Sequence, residues 1–506
     1  MTKQEIKDLV MKPIMDAGFH AYFVGGCVRD ELTNAEPHDY DICTDATPEQ
    51  LHKIFKSFIG DSSESYGVTK PIVKGEAIDI ATMRKDMSRG RHPTVTFTDK
   101  LEEDAMRRDF TINAMYEDME GHIIDPTGRG IEDIKSHTLC FVGDAVERVK
   151  EDPLRLFRFC RFEAAKGFDG RLGLTTEETL RILAEIEIAG GAMKFFEEVS
   201  KERMLKELQG IFGGKYFMTK DDHTLADMEK FGILEVTGIK AIFDEMKATA
   251  QNPKWHAEGA TFKVVFDGKE LELSGERVSE LVMSKDPKLE SFEAIKLGSV
   301  YEHTIDVMKA MATKEHDYLD MMGCLLHDIG KPVSAKRGEK KHPEDGFCRV
   351  KDHPITGVQP TEDFCKSMLM SNEDTEILKD LVLHHMDMHH LHDMKSKFAI
   401  LKLTTNPNWD RLVKLCQCDE LGCHKTAEDD EEHPIDLMVT VPRIKECIGV
   451  KMPERILTGD FITSKGFKPG PTYKKALEVA HKVQIDQDET DPERLFQVVK
   501  AIVKGH

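Results

Sequence analysis

The order of apolar and polar positions divides the chain before any motif is considered. Residues 5–17 carry apolar side chains at helical spacing and predict an amphipathic opening helix. Tyr22-Phe23-Val24 predicts a short strand running into Gly25-Gly26. His38-Asp39-Tyr40-Asp41-Ile42, Ala77-Ile78-Asp79-Ile80-Ala81-Thr82 and residues 94–98 alternate, as half-buried strands do. Thr47-Pro48 reads as a helix start, with threonine as cap and proline in the first turn. From about 141 to 250 the period changes to three and four, as in Leu154, Phe157, Arg158, Arg161 and Phe162. Val199-Ser200-Lys201-Glu202-Arg203-Met204-Leu205-Lys206-Glu207-Leu208 predicts a further helix capped by its serine. Residues 261–273 alternate around Asp267-Gly268 and predict a hairpin. Helical spacing returns near 296 and, after Pro434, continues into a tail containing Gly459-Asp460-Phe461 and Gly466-Phe467-Lys468-Pro469-Gly470-Pro471. The fold class expected is α+β, a small mixed sheet followed by a long, mostly helical remainder.

Composition narrows the setting. The 506 residues make several domains' worth of chain, and 40% hydrophobic with 32% charged residues describes an ordinary soluble protein. No apolar run is long enough to span a bilayer and no signal-peptide pattern is present, so a membrane role is not expected. Eleven scattered cysteines without a Cys-x-x-Cys pair point to a reducing, cytoplasmic setting. Cys416, Cys418, Cys423 and His424 crowd together at no recognisable zinc spacing.

Chemistry first shows at Gly25-Gly26-Cys27-Val28-Arg29-Asp30. Two glycines close a tight turn and let backbone N–H groups approach a phosphate. Asp39 and Asp41, two apart on an extended segment, face the same side and converge on one point. Paired carboxylates beside a phosphate cradle are what Mg²⁺-dependent phosphoryl transfer requires. Asp79 supplies a third carboxylate. Downstream come Arg107-Arg108-Asp109-Phe110-Thr111-Ile112-Asn113-Ala114 and Glu151-Asp152-Pro153-Leu154-Arg155-Leu156-Phe157-Arg158-Phe159-Cys160-Arg161-Phe162.

In that order these motifs resemble the class II tRNA nucleotidyltransferases, the CCA-adding enzymes, over about the first 215 residues and again beyond about 295. The resemblance implies addition of C, C and A to the 3′ end of tRNA from CTP and ATP. Asp39 and Asp41 would hold two Mg²⁺, and Asp79 would complete the cluster and orient the attacking hydroxyl. Gly25, Gly26 and Arg29 would contact the triphosphate, with Asp30 either joining them or bracing Arg29. Arg108, Asp109 and Asn113 would meet sugar and phosphates. Asp152 accepts and Arg155 donates hydrogen bonds; three apart on one helix face, they would read the base edge, with Glu151 orienting Arg155 and with Arg158 and Arg161 nearby. Residues 84–93 occupy the place of the loop that permits the change from C to A, and Asp125, Gly128 and Asp133 that of a second flexible motif.

A second constellation follows. His303, His327-Asp328, His353, His384 and Asp419 recur in the order of the HD phosphohydrolases, with His385 competing with His384 for its place. Leu325-Leu326-His327-Asp328-Ile329-Gly330-Lys331-Pro332 delivers two ligands at a helix end. Imidazole with carboxylate suits Mn²⁺, Ni²⁺, Fe²⁺ or Mg²⁺. Some relatives use this domain to hydrolyse phosphomonoesters or 2′,3′-cyclic phosphates.

The division expected is a nucleotidyltransferase head (1–140), helical neck (141–250), insertion with a hairpin (251–294), HD domain (295–430) and helical tail (431–506). The net charge of −22 requires that an RNA binder concentrate its positive charge locally. Candidates are Arg84, Lys85, Arg89 and Arg91, the Arg107-Arg108 pair, and Arg155, Arg158 and Arg161, with the acidic run 428–432 as a solvated loop. The competing readings are a C-only enzyme, a poly(A) polymerase, and an enzyme whose main activity is the HD hydrolysis. Poly(A) polymerases share the head, but residues 60–72 lack their basic strand.

Overall fold

The alternating segments of the first 125 residues meet in one six-stranded sheet. Its strands are β1 (Ala21–Val24), β2 (Ile42–Thr44), β3 (Val68–Thr69), β4 (Ile80–Thr82), β5 (Tyr116–Glu117) and β6 (Ile123–Ile124), in spatial order β6-β5-β1-β2-β4-β3. The computed structural model describes residues 1–60, 62–86, 95–249, 261–274, 277–278, 281, 284, 286–296, 299–336, 352–389, 394–422, 442–466 and 471–504. Arg89, Arg91, Cys423, His424, the acidic run 428–432 and residues 467–470 therefore lie outside the described residues. The chain forms two compact units, Met1–Ala241 and Ile242–His506.

In the first unit every sheet neighbour is antiparallel except β2 and β4. That parallel pair sets Ile42 beside Ile80, both fully buried. The strands are shorter than the alternation suggested. Residues 38–41 precede β2 and Asp79 precedes β4, because their carboxylates turn from core to solvent. The backbone still pairs there: Val24 N–H donates to Asp41 O and Ile42 N–H to Asp79 O, each at 3.1 Å. Asp41 and Asp79 thus stand side by side at the entry ends of two parallel strands.

Gly25 follows β1 with φ of +75°, a region other residues adopt only under strain. Helix α1 (Gly26–Leu32) begins at the next residue. The opening helix runs as Lys3–Ile6, a π-helical turn Lys7–Met11, and Lys12–Asp16. Thr47 caps the Pro48–Ile54 helix in a full capping box with Gln50. The residues after Asp109 are not the apolar helix their composition suggests. They form one 3-10 turn, Thr111–Asn113, because Phe110 is extended and bridges to Phe141.

The helical part of this unit includes α2 (Leu101–Met106), α3 (Ala145–Glu151), α4 (Leu154–Lys166) and α5 (Lys201–Phe212). Asp152 and Arg155 do not share a helix face. A residue before proline is kept out of the helical region, so α3 stops at Glu151, Asp152 is extended (φ −145°, ψ 100°), and α4 starts after Pro153. Ser200 occupies the cap position of α5 but its hydroxyl makes no capping bond. Helices α4 and α5 pack together along their length.

In the second unit the expected hairpin is present as β7 (Thr261–Phe266) and β8 (Lys269–Ser274), turned by Asp267 and Gly268 at φ of +51° and +71°. A strand the pattern did not disclose, β9 (Leu289–Lys296), pairs on the other side of β7. Phe262, Val264 and Val278 are buried beneath this sheet. Five helices then build a second core: α6 (Val300–Ala312), α7 (Tyr318–Leu326), α8 (His353–Ser367), α9 (Asn372–His389) and α10 (Trp409–Leu421). Capping boxes at Ser299/Glu302 and Asp317/Asp320 start α6 and α7. The tail helices Pro471–Asp486 and Pro492–Lys504 close over Leu457, Ile462, Ala480, Leu495 and Val499. Among the described residues no helix is long and apolar enough to cross a membrane.

Candidate functional site

The turn at Gly25, the 3-10 turn and the inner faces of α4 and α5 enclose a cavity of about 360 Å³. Its lining brings together Gly25, Gly26, Arg29, Asp41, Arg108, Asp109, Asn113, Arg158 and Arg161 from the sequence reading, and adds Lys166 and Gly210. Five of these side chains are cationic and two anionic, so the cavity favours an anion.

Each cation is steadied by a carboxylate or amide. Arg29, nearly buried, donates to Asn113 Oδ1 at 2.5 Å and to Asp30 Oδ1 at 2.7 and 2.9 Å. Asp30 is therefore a brace for Arg29, and Lys166 joins it at 3.2 Å. Asn113 Nδ2 donates to Asp109 Oδ1 at 3.1 Å, and Arg158 clamps Asp109 Oδ2 at 2.5 and 2.8 Å. Burial works against the Asp109 carboxylate, but Arg158, Asn113 and the Phe110 N–H outweigh it and hold its pKa at about 2.

Asp41 stands exposed at the rim, with Asp39 and Asp79 exposed nearby. Protein packed round the Asp41 carboxyl removes part of its water, and Asp79 and Asp39 repel its charge; together these overcome the pull of Arg108 and raise its pKa. A divalent cation is the natural relief for three such carboxylates. Lys70 Nζ lies 3.4 Å from Asp79.

Asp152 and Arg155 do not line the cavity. Asp152 accepts from the Leu154 N–H at 3.2 Å and from Arg203 at 2.6 Å. Arg155 donates to Glu151 at 2.8 Å and to the carbonyls of Arg148 and Arg107 at 2.7 and 3.0 Å.

Two supporting carboxylates escaped the sequence reading. Asp104, wholly buried, accepts from Arg107 (2.8 Å), Arg108 (3.0 Å), the Tyr116 hydroxyl (2.7 Å) and the Arg84 N–H (3.2 Å). Glu207 on α5 lies 2.8 Å from Arg161 and 3.8 Å from Arg158. The signal for Asp104 was its place three and four residues before the arginine pair, the spacing of helical ion pairs.

The second unit holds another site. His303 from α6, His327-Asp328 at the end of α7, His353 at the start of α8, His385 from α9 and Asp419 from α10 converge in the helical core, all nearly or fully buried. The adjacent His384 does not join them. Its ring faces Asp387 (2.6 Å) and Asp380 (3.7 Å), since one residue along a helix turns a side chain by about 100°. The donor set groups as His303, His327 and Asp328 and as Asp328, His353 and His385, with Asp328 shared.

The donor chemistry fits a divalent metal. Nδ1 of His327 and of His385 meets the Cys324 and Val382 carbonyls at 2.7 and 2.8 Å, which directs each Nε2 lone pair inward. His327 Nε2 faces His303 Nε2 at 3.3 Å, and His353 Nε2 faces His385 Nε2 at 3.1 Å. Burial and the neighbouring imidazole of His327 lower the His385 pKa to about 3, so its ring is neutral, the form in which an imidazole can ligate a metal. Asp328 is an anion despite its burial, through Lys331 and His327.

Two outcomes follow for the head. A carboxyl whose folded pKa is raised destabilises the fold as pH climbs through that pKa. In metal-free protein, Asp41→Asn should therefore flatten the loss of thermal stability just above the ordinary carboxylate range, and should abolish the rise in Tm that Mg²⁺ gives the wild type. Asp104→Ala leaves two arginines without their buried partner and should cost about 3–5 kcal/mol in urea unfolding.

Residues 21–140 match the family described as the poly A polymerase head domain, and residues 300–425 match the HD domain. Among curated relatives, the CCA-adding enzyme of Lactobacillus helveticus is 38% identical over 203 residues, 39% of this chain and 47% of that protein. The CCA-adding enzyme of Lactobacillus johnsonii is 37% identical over 227 residues, 41% of this chain and 56% of its own. The chain thus spans about half the length of the curated relatives it matches. The crystal structure of the Bacillus stearothermophilus CCA-adding enzyme in complex with CTP shares the fold along the whole of both chains, with a TM-score of 0.60 at 21% identity. The head and HD segments thus each match a known domain family, and the fold is that of a solved CCA-adding enzyme.

Proposed function

We propose that the protein adds C, C and A to the 3′ end of tRNA in the cytoplasm, using CTP and ATP. The observation that carries this reading is the cationic cavity closed by the Gly25 turn, with Asp41 at its rim. Arg29, Arg108, Arg161 and Lys166 hold the triphosphate, and the N–H groups behind Gly25 and Gly26 approach it closely. Asp39 and Asp41 would hold Mg²⁺, which supplies Lewis-acid activation and neutralises the leaving pyrophosphate when bound. Asp79 orients the RNA 3′-hydroxyl for attack on the α-phosphorus; the new phosphodiester forms as the bond to pyrophosphate breaks. Asp152, held by Arg203, and Arg155, held by Glu151, lie outside this cavity and would read the base edge only where the nucleotide extends beyond its lining. The CCA-adding enzymes supply the analogy, as the Bacillus stearothermophilus structure contains CTP.

A tRNA lacking its last three nucleotides tests it. CTP alone should add two residues, ATP alone none, and both together three; Asp39→Ala and Asp41→Ala should be silent. Stopping at two with both nucleotides identifies a C-adding enzyme, and long A-tails a poly(A) polymerase. No addition to any acceptor overturns the transferase reading.

A second reading rests on the shared Asp328. The HD site binds divalent metal, of the Mn²⁺, Ni²⁺, Fe²⁺ or Mg²⁺ kind, and hydrolyses a phosphate ester at a tRNA end. His385→Ala should lower the metal content measured by elemental analysis while His384→Ala leaves it unchanged. His327→Ala should abolish phosphate release, and Asp39→Ala should not.

A further inference from the structure

Gly210 lies inside helix α5, where glycine is the least favoured residue after proline. Its backbone is not in the left-handed region, so conformation does not require it. Space does. A Cβ at Gly210 would fall 2.5 Å from Arg161 Cδ, 3.0 Å from Cγ and 3.9 Å from Nε, its three nearest neighbours outside the adjoining backbone of its own helix. The stem of Arg161 therefore crosses α5 directly over this position. One turn earlier on the same face, the buried Glu207 sets Oε2 2.8 Å from Arg161 Nε. The two atoms are an ion pair not aligned as a hydrogen bond, so charge holds the guanidinium without fixing its rotation. Arg161 and Gly210 both line the nucleotide cavity. Burial lowers the Arg161 pKa and the neighbouring Arg158 adds to this against the pull of Glu207, which leaves a cation that a phosphate would stabilise.

We propose that Gly210 and Glu207 form a notch on α5 that aims Arg161 into the cavity, making both positioning residues for the nucleotide's phosphates. This rests on the nucleotide reading above. The simpler alternative is that Gly210 serves only the close packing of α4 on α5. The two differ in what an added methyl meets: on the notch account it meets the Arg161 side chain and nothing else.

The test is a double-mutant cycle on the full chain, reading CTP binding calorimetrically with Mg²⁺ and no RNA, and Tm beside it. Gly210→Ala should weaken CTP binding roughly tenfold, the scale of one charge-assisted hydrogen bond. Arg161→Ala should do the same. Adding Gly210→Ala to Arg161→Ala should cost no further affinity and should raise Tm by about 2 °C, because the methyl then improves the helix and touches nothing. Glu207→Gln should raise the KM for CTP with kcat retained. Wild-type affinity in Gly210→Ala overturns the proposal. So does an equal loss in the Arg161→Ala background, which would mean the methyl acts through packing. If the wild type itself binds no CTP, the nucleotide reading fails first and takes this inference with it.

Discussion

Five cationic side chains share one cavity of the first unit, and their mutual repulsion is the constraint the surrounding architecture answers. The answer is a chain of alternating charge that crosses element boundaries. Lys166 and Arg29 meet at Asp30, Arg29 reaches Asn113, Asn113 reaches Asp109, and Asp109 holds Arg158. Glu207 then takes Arg158 and Arg161, while Asp104 holds Arg107 and Arg108 from beneath. Of the anions in this chain only Asp109 lines the cavity, while Asp30, Asp104 and Glu207 do not, so positive charge predominates toward a ligand. A chain with net charge −22 can in this way present a strongly positive pocket, since what a ligand meets is the local order of charges and not their sum.

The sheet supplies the opposite charge by a different device. Parallel pairing of β2 with β4 fixes Ile42 beside Ile80, and the residue before each is an aspartate. Register alone therefore sets Asp41 and Asp79 together. Backbone hydrogen bonds to their own carbonyls secure the arrangement while the side chains stay in water. In the second unit five helices perform the same task, each contributing one face of a shared donor set.

Much of this was legible in the residues, and the failures have local causes. The strand and glycine turn and the Asp267-Gly268 hairpin were placed by pattern, whereas most of the nine motif residues that line the cavity were named from the resemblance to a family. Pro153 defeated the expectation that Asp152 and Arg155 share a helix face, because it ends one helix and starts another between them. His384 and His385 are equivalent as composition; only the phase of α9 distinguishes them, and phase depends on what α9 packs against. Asp104 and Glu207 are not among the site residues singled out in the sequence, and only tertiary packing shows them buried. Strand β9 lacks a clean alternation and is recruited by the edge of β7.

Helix α4 carries Arg155, Arg158 and Arg161 at intervals of three on a helix of 3.6 residues per turn. Each step falls about 60° short of a full turn, so the three guanidiniums open like a fan. One rib reaches the end of α2 at the Arg107 carbonyl, the next Asp109, the last α5 at Glu207. A single helix thus touches three separate parts of its unit, and the length of α4 acts as a gauge. Removing one residue between Arg155 and Arg161 would turn the later ribs by about 100° and detach them from their partners, without altering the composition of the site at all.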